Sequence, residues 1–266
     1  MSGFPYELQE DPLPRLGLIV LQVDETIEQE FRRLFAPESA RLHVTRIPSG
    51  AELTPDTIAR MAAALPAAAS LLPGPLDAVG YACTSGTTLI GADRVRDLVR
   101  GAVQSRSVTD PLTAALARCH ALGLGRIGIV SPYIASVAEP IRAAFEADGI
   151  AVPATLSFGE DIEARVARIA PASIAEAART LARRAPLDGL FLSCTNLRKL
   201  DVLAPLSADL GVPVLSSNQC LAWHMAALAG LAPVSQHAGR RPPPDADARP
   251  HIGPARKARG GGPPAS

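Results

Sequence analysis

Short apolar runs alternate along this chain with stretches whose apolar residues return at helical spacing. RLGLIVLQV, from Arg15, is short and continuously apolar, the pattern of a strand buried on both faces. ETIEQEFRRLF reads as a helix and RLHVTRI as a strand. TPDTIARMAAALPAAASLL predicts a helix with Thr54 as N-cap and Pro55 in its first turn. DAVGYAC is then a strand and TTLIGADRVRDLVRGA one helix. The scheme repeats with RIGIVS, IASVAEPIRAAFEADG, IAVPATLSF, SIAEAARTLARRA, DGLFLSC and NLRKLDVLAPLSADLG; PVLSS and NQCLAWHMAALAGL supply a last strand and helix. Alternating strands and helices predict parallel sheets covered on both faces, with ligands beyond the carboxyl ends of the strands.

The order of elements repeats because the residues do. PLDAVGYACTS and PLDGLFLSCTN align without a gap at an offset of 111 residues, matching Asp77 with Asp188, Cys83 with Cys194 and Thr84 with Thr195. The same offset pairs RLGLI with RIGIV and Glu28 with Glu139. The expected fold is α/β, with two pseudosymmetric lobes, each a parallel sheet of about four strands flanked by helices, and an active site in the cleft between them. Residues 1–14 read as an extension, 15–110 plus 212–232 as the first lobe and 111–211 as the second. From Gln236 to Ser266, Pro, Gly and Ala dominate and almost nothing can be buried, which predicts a disordered tail. Six Arg or Lys against two Asp give that tail a net charge of +4.

Charge narrows the partners. Lys and Arg together number 26, as do Asp and Glu, so neither nucleic acid nor a membrane surface has general electrostatic support. No apolar run is long enough to span a bilayer. MSGFPYELQEDPLPR lacks a basic region followed by an apolar one, so the expected location is the cytoplasm, where the four cysteines are thiols. A homo-oligomer stays open.

The matched cysteines carry the candidate chemistry. Both are expected at strand ends, close to the positive end of a following helix, a setting that lowers a thiol pKa. Across a pseudo-twofold cleft, one thiol can take a proton from a substrate carbon and the other return it on the opposite face, with no cofactor. Alternatively, a thiolate adds to an alkene and leaves after rotation. Either route builds negative charge on a carboxylate, for which Thr84, Ser85, Thr195 and Asn196 are candidate donors. Zinc requires three or four ligands, and none of the five histidines lies in either cysteine motif, so no metal is expected. Cys119 and Cys220 read as packing residues.

YACTSGT, the SPY of Ser131 to Tyr133, SCTNLR and PVLSSNQCLAWH together resemble the Asp/Glu racemase superfamily, in the branch of maleate isomerases and arylmalonate decarboxylases. The resemblance covers about residues 15–232. It implies two α/β lobes, no cofactor, Cys83 and Cys194 as the catalytic pair, and a carboxylate held by Thr84, Ser85, Tyr133 and Thr195. Because arylmalonate decarboxylases keep only the second cysteine, retention of both implies isomerisation or racemisation.

Asp24 stands where maleate isomerases have an Asn that holds a substrate carboxylate. Two readings stay open: a helix cap, or a cleft carboxylate suited to a substrate that bears a cation beside its carboxylate. VLQVDETIEQEFRRLF and RIPSGAELTPDTIARM are similar to the racemase-like proteins of ectoine utilisation, which implies ectoine or hydroxyectoine as substrate. The alternatives are a maleate isomerase or arylmalonate-decarboxylase-like enzyme, and a non-catalytic protein that binds a small acid.

Overall fold

The structure is a computed structural model that describes residues 3–51 and 55–232. Thr54 and the Gln236–Ser266 segment lie outside the described residues. Residues 3–14 carry neither helix nor strand. The first half contains β1 (Arg15–Leu21), α1 (Ile27–Leu34), β2 (Arg41–Ile47), α2 (Pro55–Ala69), β3 (Leu76–Ala82), α3 (Thr84–Ile90), α4 (Ala92–Arg100) and β4 (Ser105–Thr109). The second contains α5 (Pro111–Leu122), β5 (Arg126–Tyr133), α6 (Ala135–Ala147), β6 (Ala151–Glu160), α7 (Glu163–Val166), α8 (Pro171–Ala182) and β7 (Gly189–Leu192). The chain closes with α9 (Leu200–Leu210), β8 (Val214–Ser216) and α10 (Ser217–Leu228).

Two four-stranded sheets result, ordered β2-β1-β3-β4 and β6-β5-β7-β8, and every recorded pairing is parallel. The identical strand order gives the sequence repeat its structural form. Even the matched aspartates keep matched partners: Asp77 accepts from the Arg15 backbone N–H at 2.8 Å, and Asp188 from the Arg126 guanidinium at 2.9 Å.

Alternation along β1 sorts the core into two layers. Leu16, Leu18 and Val20 pack with Ile27 and Phe31 of α1 and Leu221 and Met225 of α10, while Ile19 and Leu21 face Met61 and Leu65 of α2. The second sheet is covered likewise, Val130 and Leu192 toward α8 and α9, Ile129 and Phe191 toward α5 and α6.

Three expectations need correction. The single helix expected after Cys83 is two, α3 and α4, because Gly91 turns the chain at φ +94°, a conformation that side chains disfavour. The 212–232 segment divides: β8 joins the second sheet, and α10 crosses to the first lobe. Finally, no helix follows Cys194 directly, since α9 begins only at Leu200. Among the described residues, no helix is long and apolar enough to cross a membrane.

Candidate active site

Cys83 directly follows β3, and Cys194 lies two residues beyond the end of β7. Thr195, next to Cys194, donates its hydroxyl hydrogen to the carbonyl of Ala82, next to Cys83, at 3.3 Å. The two cysteine motifs therefore meet at the seam between the lobes. Both thiols are enclosed there, Cys83 at 3% and Cys194 at 2% exposure.

Local structure holds the thiols differently. Cys83 occupies the N-cap of α3, and its Sγ accepts from the Gly86 N–H at 3.1 Å. The Ser85 hydroxyl lies 3.8 Å from the same sulfur. Cys194 adopts φ +93°, a left-handed conformation rare for any residue with a side chain. Its Sγ accepts from the Asn196 N–H at 3.3 Å and touches the Tyr133 hydroxyl at 3.1 Å. The Lys199 ammonium, itself buried, donates to the Cys194 and Leu197 carbonyls.

Burial decides the resting state of both thiols. It pushes Cys83 up to about 12, outweighing the Gly86 N–H and Ser85, which pull it down. Cys194 is pushed up as well, first by burial and then by the nearby Glu163 charge, against the opposing pull of Lys199. The expectation of a lowered pKa thus fails for the closed site: one or two N–H donors do not repay removal of a thiolate from water.

Asp24 fulfils the helix-cap reading with one oxygen and leaves the other unused. Its Oδ1 accepts from the Thr26 and Ile27 N–H groups at 2.8 and 2.9 Å, at the start of α1. Its Oδ2 is buried without a hydrogen-bond partner, the neighbouring Thr195 hydroxyl being directed at Ala82. Burial accordingly raises the Asp24 pKa.

The other expected donors are mostly engaged with protein. Thr84 donates to the Ser217 hydroxyl at 2.9 Å. The Asn196 side-chain amide donates to Glu163 Oε2 at 2.9 Å, and its Oδ1 accepts from the Glu25 N–H at 2.8 Å. Asn196 therefore acts here as a tie between loops. Glu163 was not legible in the sequence, where GEDIEARV offers three carboxylates of equal standing; only Glu163 turns inward, to 2% exposure. Lys199 and Glu30 were missed for the same reason. Glu30 Oε2 accepts from Asn218 at 2.7 Å, and that amide also donates to the Thr195 carbonyl. Cys119 and Cys220 share a hydrophobic core cluster that contains neither Cys83 nor Cys194. Among the described residues, no group of three or more His, Cys, Asp or Glu is placed to hold a metal ion.

A family model described as arylmalonate decarboxylase matches residues 56–241. The chain belongs to that family. It is a family of enzymes, and the arylmalonate decarboxylase of Bordetella bronchiseptica is 32% identical over 119 residues, 44% of this chain and 50% of that protein, so the match spans half of the relative's length. The maleate isomerase of Pseudomonas putida is 24% identical over 241 residues, 85% of this chain and 96% of its own. The two-lobed fold of the arylmalonate decarboxylase family is also that of a maleate cis-trans isomerase from Nocardia farcinica. The solved structure of its cysteine-to-serine variant holds a covalently bound succinylcysteine intermediate. It aligns with a TM-score of 0.73 at 23% identity, covering 82% of this chain and 94% of that one.

Proposed function

We propose that the protein is a cofactor-independent isomerase or racemase that acts on a small carboxylate substrate through Cys83 and Cys194. The observation that carries this reading is the hydrogen bond from Thr195 to Ala82, which joins two repeat-matched thiol motifs at one seam. One thiolate removes the proton beside the carboxylate, and the electron pair moves into the carboxylate. The opposite thiol then returns a proton to the other face. Ser85, Tyr133 and backbone N–H groups stabilise the charge that develops, with Thr84, Thr195 and Asn196 shaping the pocket. Since both thiols are enclosed, the seam must open to admit substrate.

The unpartnered Oδ2 of Asp24 favours a substrate that brings a cationic group to this wall. Ectoine and hydroxyectoine, which carry an amidine beside a carboxylate-bearing stereocentre, fit that chemistry and the sequence resemblance. A second reading, maleate isomerisation by thiolate addition, is favoured by the full-length similarity to the P. putida enzyme and by the succinylcysteine of the Nocardia one.

The test is incubation in deuterated water with ectoine, hydroxyectoine, maleate, aspartate and an arylmalonate, followed by NMR. Deuterium at the carbon beside the carboxylate of an otherwise unchanged substrate supports racemisation, whereas deuterium with loss of a carboxyl group marks decarboxylation. Fumarate from maleate establishes the second reading, and a ligand that binds without exchange or conversion establishes a non-catalytic binder.

A further inference from the structure

The Tyr133 hydroxyl is buried between two groups, Cys194 Sγ at 3.1 Å and Glu163 Oε1 at 2.7 Å. A hydroxyl has a single hydrogen, and an ionised carboxylate only accepts. With Glu163 ionised, Tyr133 must donate to it, which leaves the tyrosine oxygen to accept from the Cys194 S–H. The chain then reads S–H to O–H to carboxylate. Its other end state is equally well bonded: a protonated Glu163 donates to the Tyr133 oxygen, and Tyr133 donates to a Cys194 thiolate.

We propose that Glu163 is the proton acceptor of a relay, Cys194–Tyr133–Glu163, that ionises Cys194 and later restores its proton. The S–H bond breaks as a proton passes to Tyr133 Oη, while the tyrosine's own proton passes to Glu163 Oε1. The products are a thiolate and a neutral carboxylic acid, and the tyrosine carries no charge at either end. Glu163 is a positioning residue in this scheme, since it acts on substrate only through Tyr133 and Cys194. The inference rests on Cys194 being a reacting thiol.

The surroundings suit the exchange. Asn196 holds Glu163 Oε2 and is itself held by Glu25, which fixes the carboxyl facing Tyr133. Burial raises the Glu163 pKa, so this carboxyl holds a proton more readily than an exposed one. Its negative charge disfavours a thiolate at Cys194 and also at Cys83, and the relay removes that charge in the step that creates the thiolate. Of the other groups facing the pair, Lys199 favours the thiolate and Asp24 opposes it. Arg165 and Arg168, near Glu163 in the chain, are exposed and paired with Glu160 and Glu25. Among the described residues no such chain serves Cys83: Tyr81 lies beside its sulfur and favours the thiolate, but no recorded hydrogen bond carries the Tyr81 hydroxyl on to a carboxylate.

The test is the rate of iodoacetamide alkylation at Cys194 across pH 6–9, read by peptide mass spectrometry on the full chain, with the native protein as reference. An internal acceptor makes the thiolate population independent of pH above the Glu163 ionisation, so the native protein should show a plateau. Glu163→Gln and Tyr133→Phe should each abolish it, leaving a rate that climbs about tenfold per pH unit and falls about tenfold or more at neutral pH relative to Cys194 in the native protein. If Glu163 is only a static charge, Glu163→Gln speeds Cys194 alkylation, and the relay is wrong. A native profile without a plateau, or two variants that leave it unchanged, also overturns it. Should Glu163→Gln fail to fold, Tyr133→Phe decides alone, because it breaks the bridge and keeps the carboxylate. No substrate enters this assay, so a negative deuterium panel leaves the relay standing, and a failed relay leaves the isomerase reading standing.

Discussion

Thr195 in one lobe donates its hydroxyl hydrogen to the Ala82 carbonyl in the other, 3.3 Å away, and each of these residues adjoins a thiol. If the thiols work as a pair across this bond, Cys83→Ser and Cys194→Ser each abolish full turnover, by on the order of 10²–10⁴-fold. Cys119→Ser and Cys220→Ser lie in a core cluster and should cost stability, about 1–3 kcal/mol for a buried hydroxyl, with turnover retained. Steady-state rates beside thermal melts check both halves. A large loss of rate from either core variant would identify the wrong thiols.

Gly86 sits under the first thiol. A Cβ there would lie 2.7 Å from Cys83 Sγ and 2.8 Å from the Tyr81 hydroxyl, closer than atoms pack. Gly86→Ala should therefore displace the sulfur and cut activity by about tenfold or more, for an overpacking cost of roughly 1–3 kcal/mol. Alkylation of Cys83 should change in the same variant while that of Cys194 does not.

Asp24 is a buried acid whose pKa is raised in the folded protein. The unfolded chain gives up this proton at lower pH than the native one, so between the two values the native state binds more protons and stability falls as pH rises. Asp24→Asn removes that penalty and keeps an oxygen to cap α1. The variant should gain on the native protein as pH rises from about 4 to 7, and each ~1 kcal/mol gained should lift Tm by about 2–4 °C. Paired melts at the two pH values measure it; an equal difference at both would place Asp24 in contact with water. The same variant should weaken binding of an amidine- or amine-bearing acid and strengthen that of maleate, which calorimetry reads.

Cys194 holds φ +93° at the cost of backbone strain. Removing the thiol as Cys194→Gly relieves that strain, whereas Cys194→Ala retains it. The glycine variant should be the more stable of the two by about 1 kcal/mol, although glycine is usually the worse residue. Denaturant midpoints of these two variants compare them directly.

Much of this was legible in the chain because the repeat carries it. Two copies of one strand-and-cysteine segment, at a fixed offset, specified two sheets of identical order. β4 was not legible: SRSVT is short and polar, and its pairing with β3 is what makes it a strand. The break at Gly91 depends on one residue's φ, which periodicity does not register. For the thiols, proximity to a helix start suggested a lowered pKa, and burial reversed the sign, because desolvation depends on how the lobes close. Glu163 illustrates the deepest limit. Nothing distinguishes it from Glu160 or Asp161 until Tyr133 and Asn196, distant in the sequence, arrive beside it.

The two halves of the chain have traded their endings. β8 completes the second sheet, and without a break α10 roofs the first, where Leu221, Ala222 and Met225 close over Leu16, Leu18 and Val20. Cutting the polypeptide at the internal repeat boundary would leave an amino-terminal piece with its core uncovered and a carboxy-terminal piece carrying an apolar helix with nothing to lie on. The two repeats thus form an obligate pair. Neither half is self-sufficient, and heat or denaturant should dismantle both in one concerted transition.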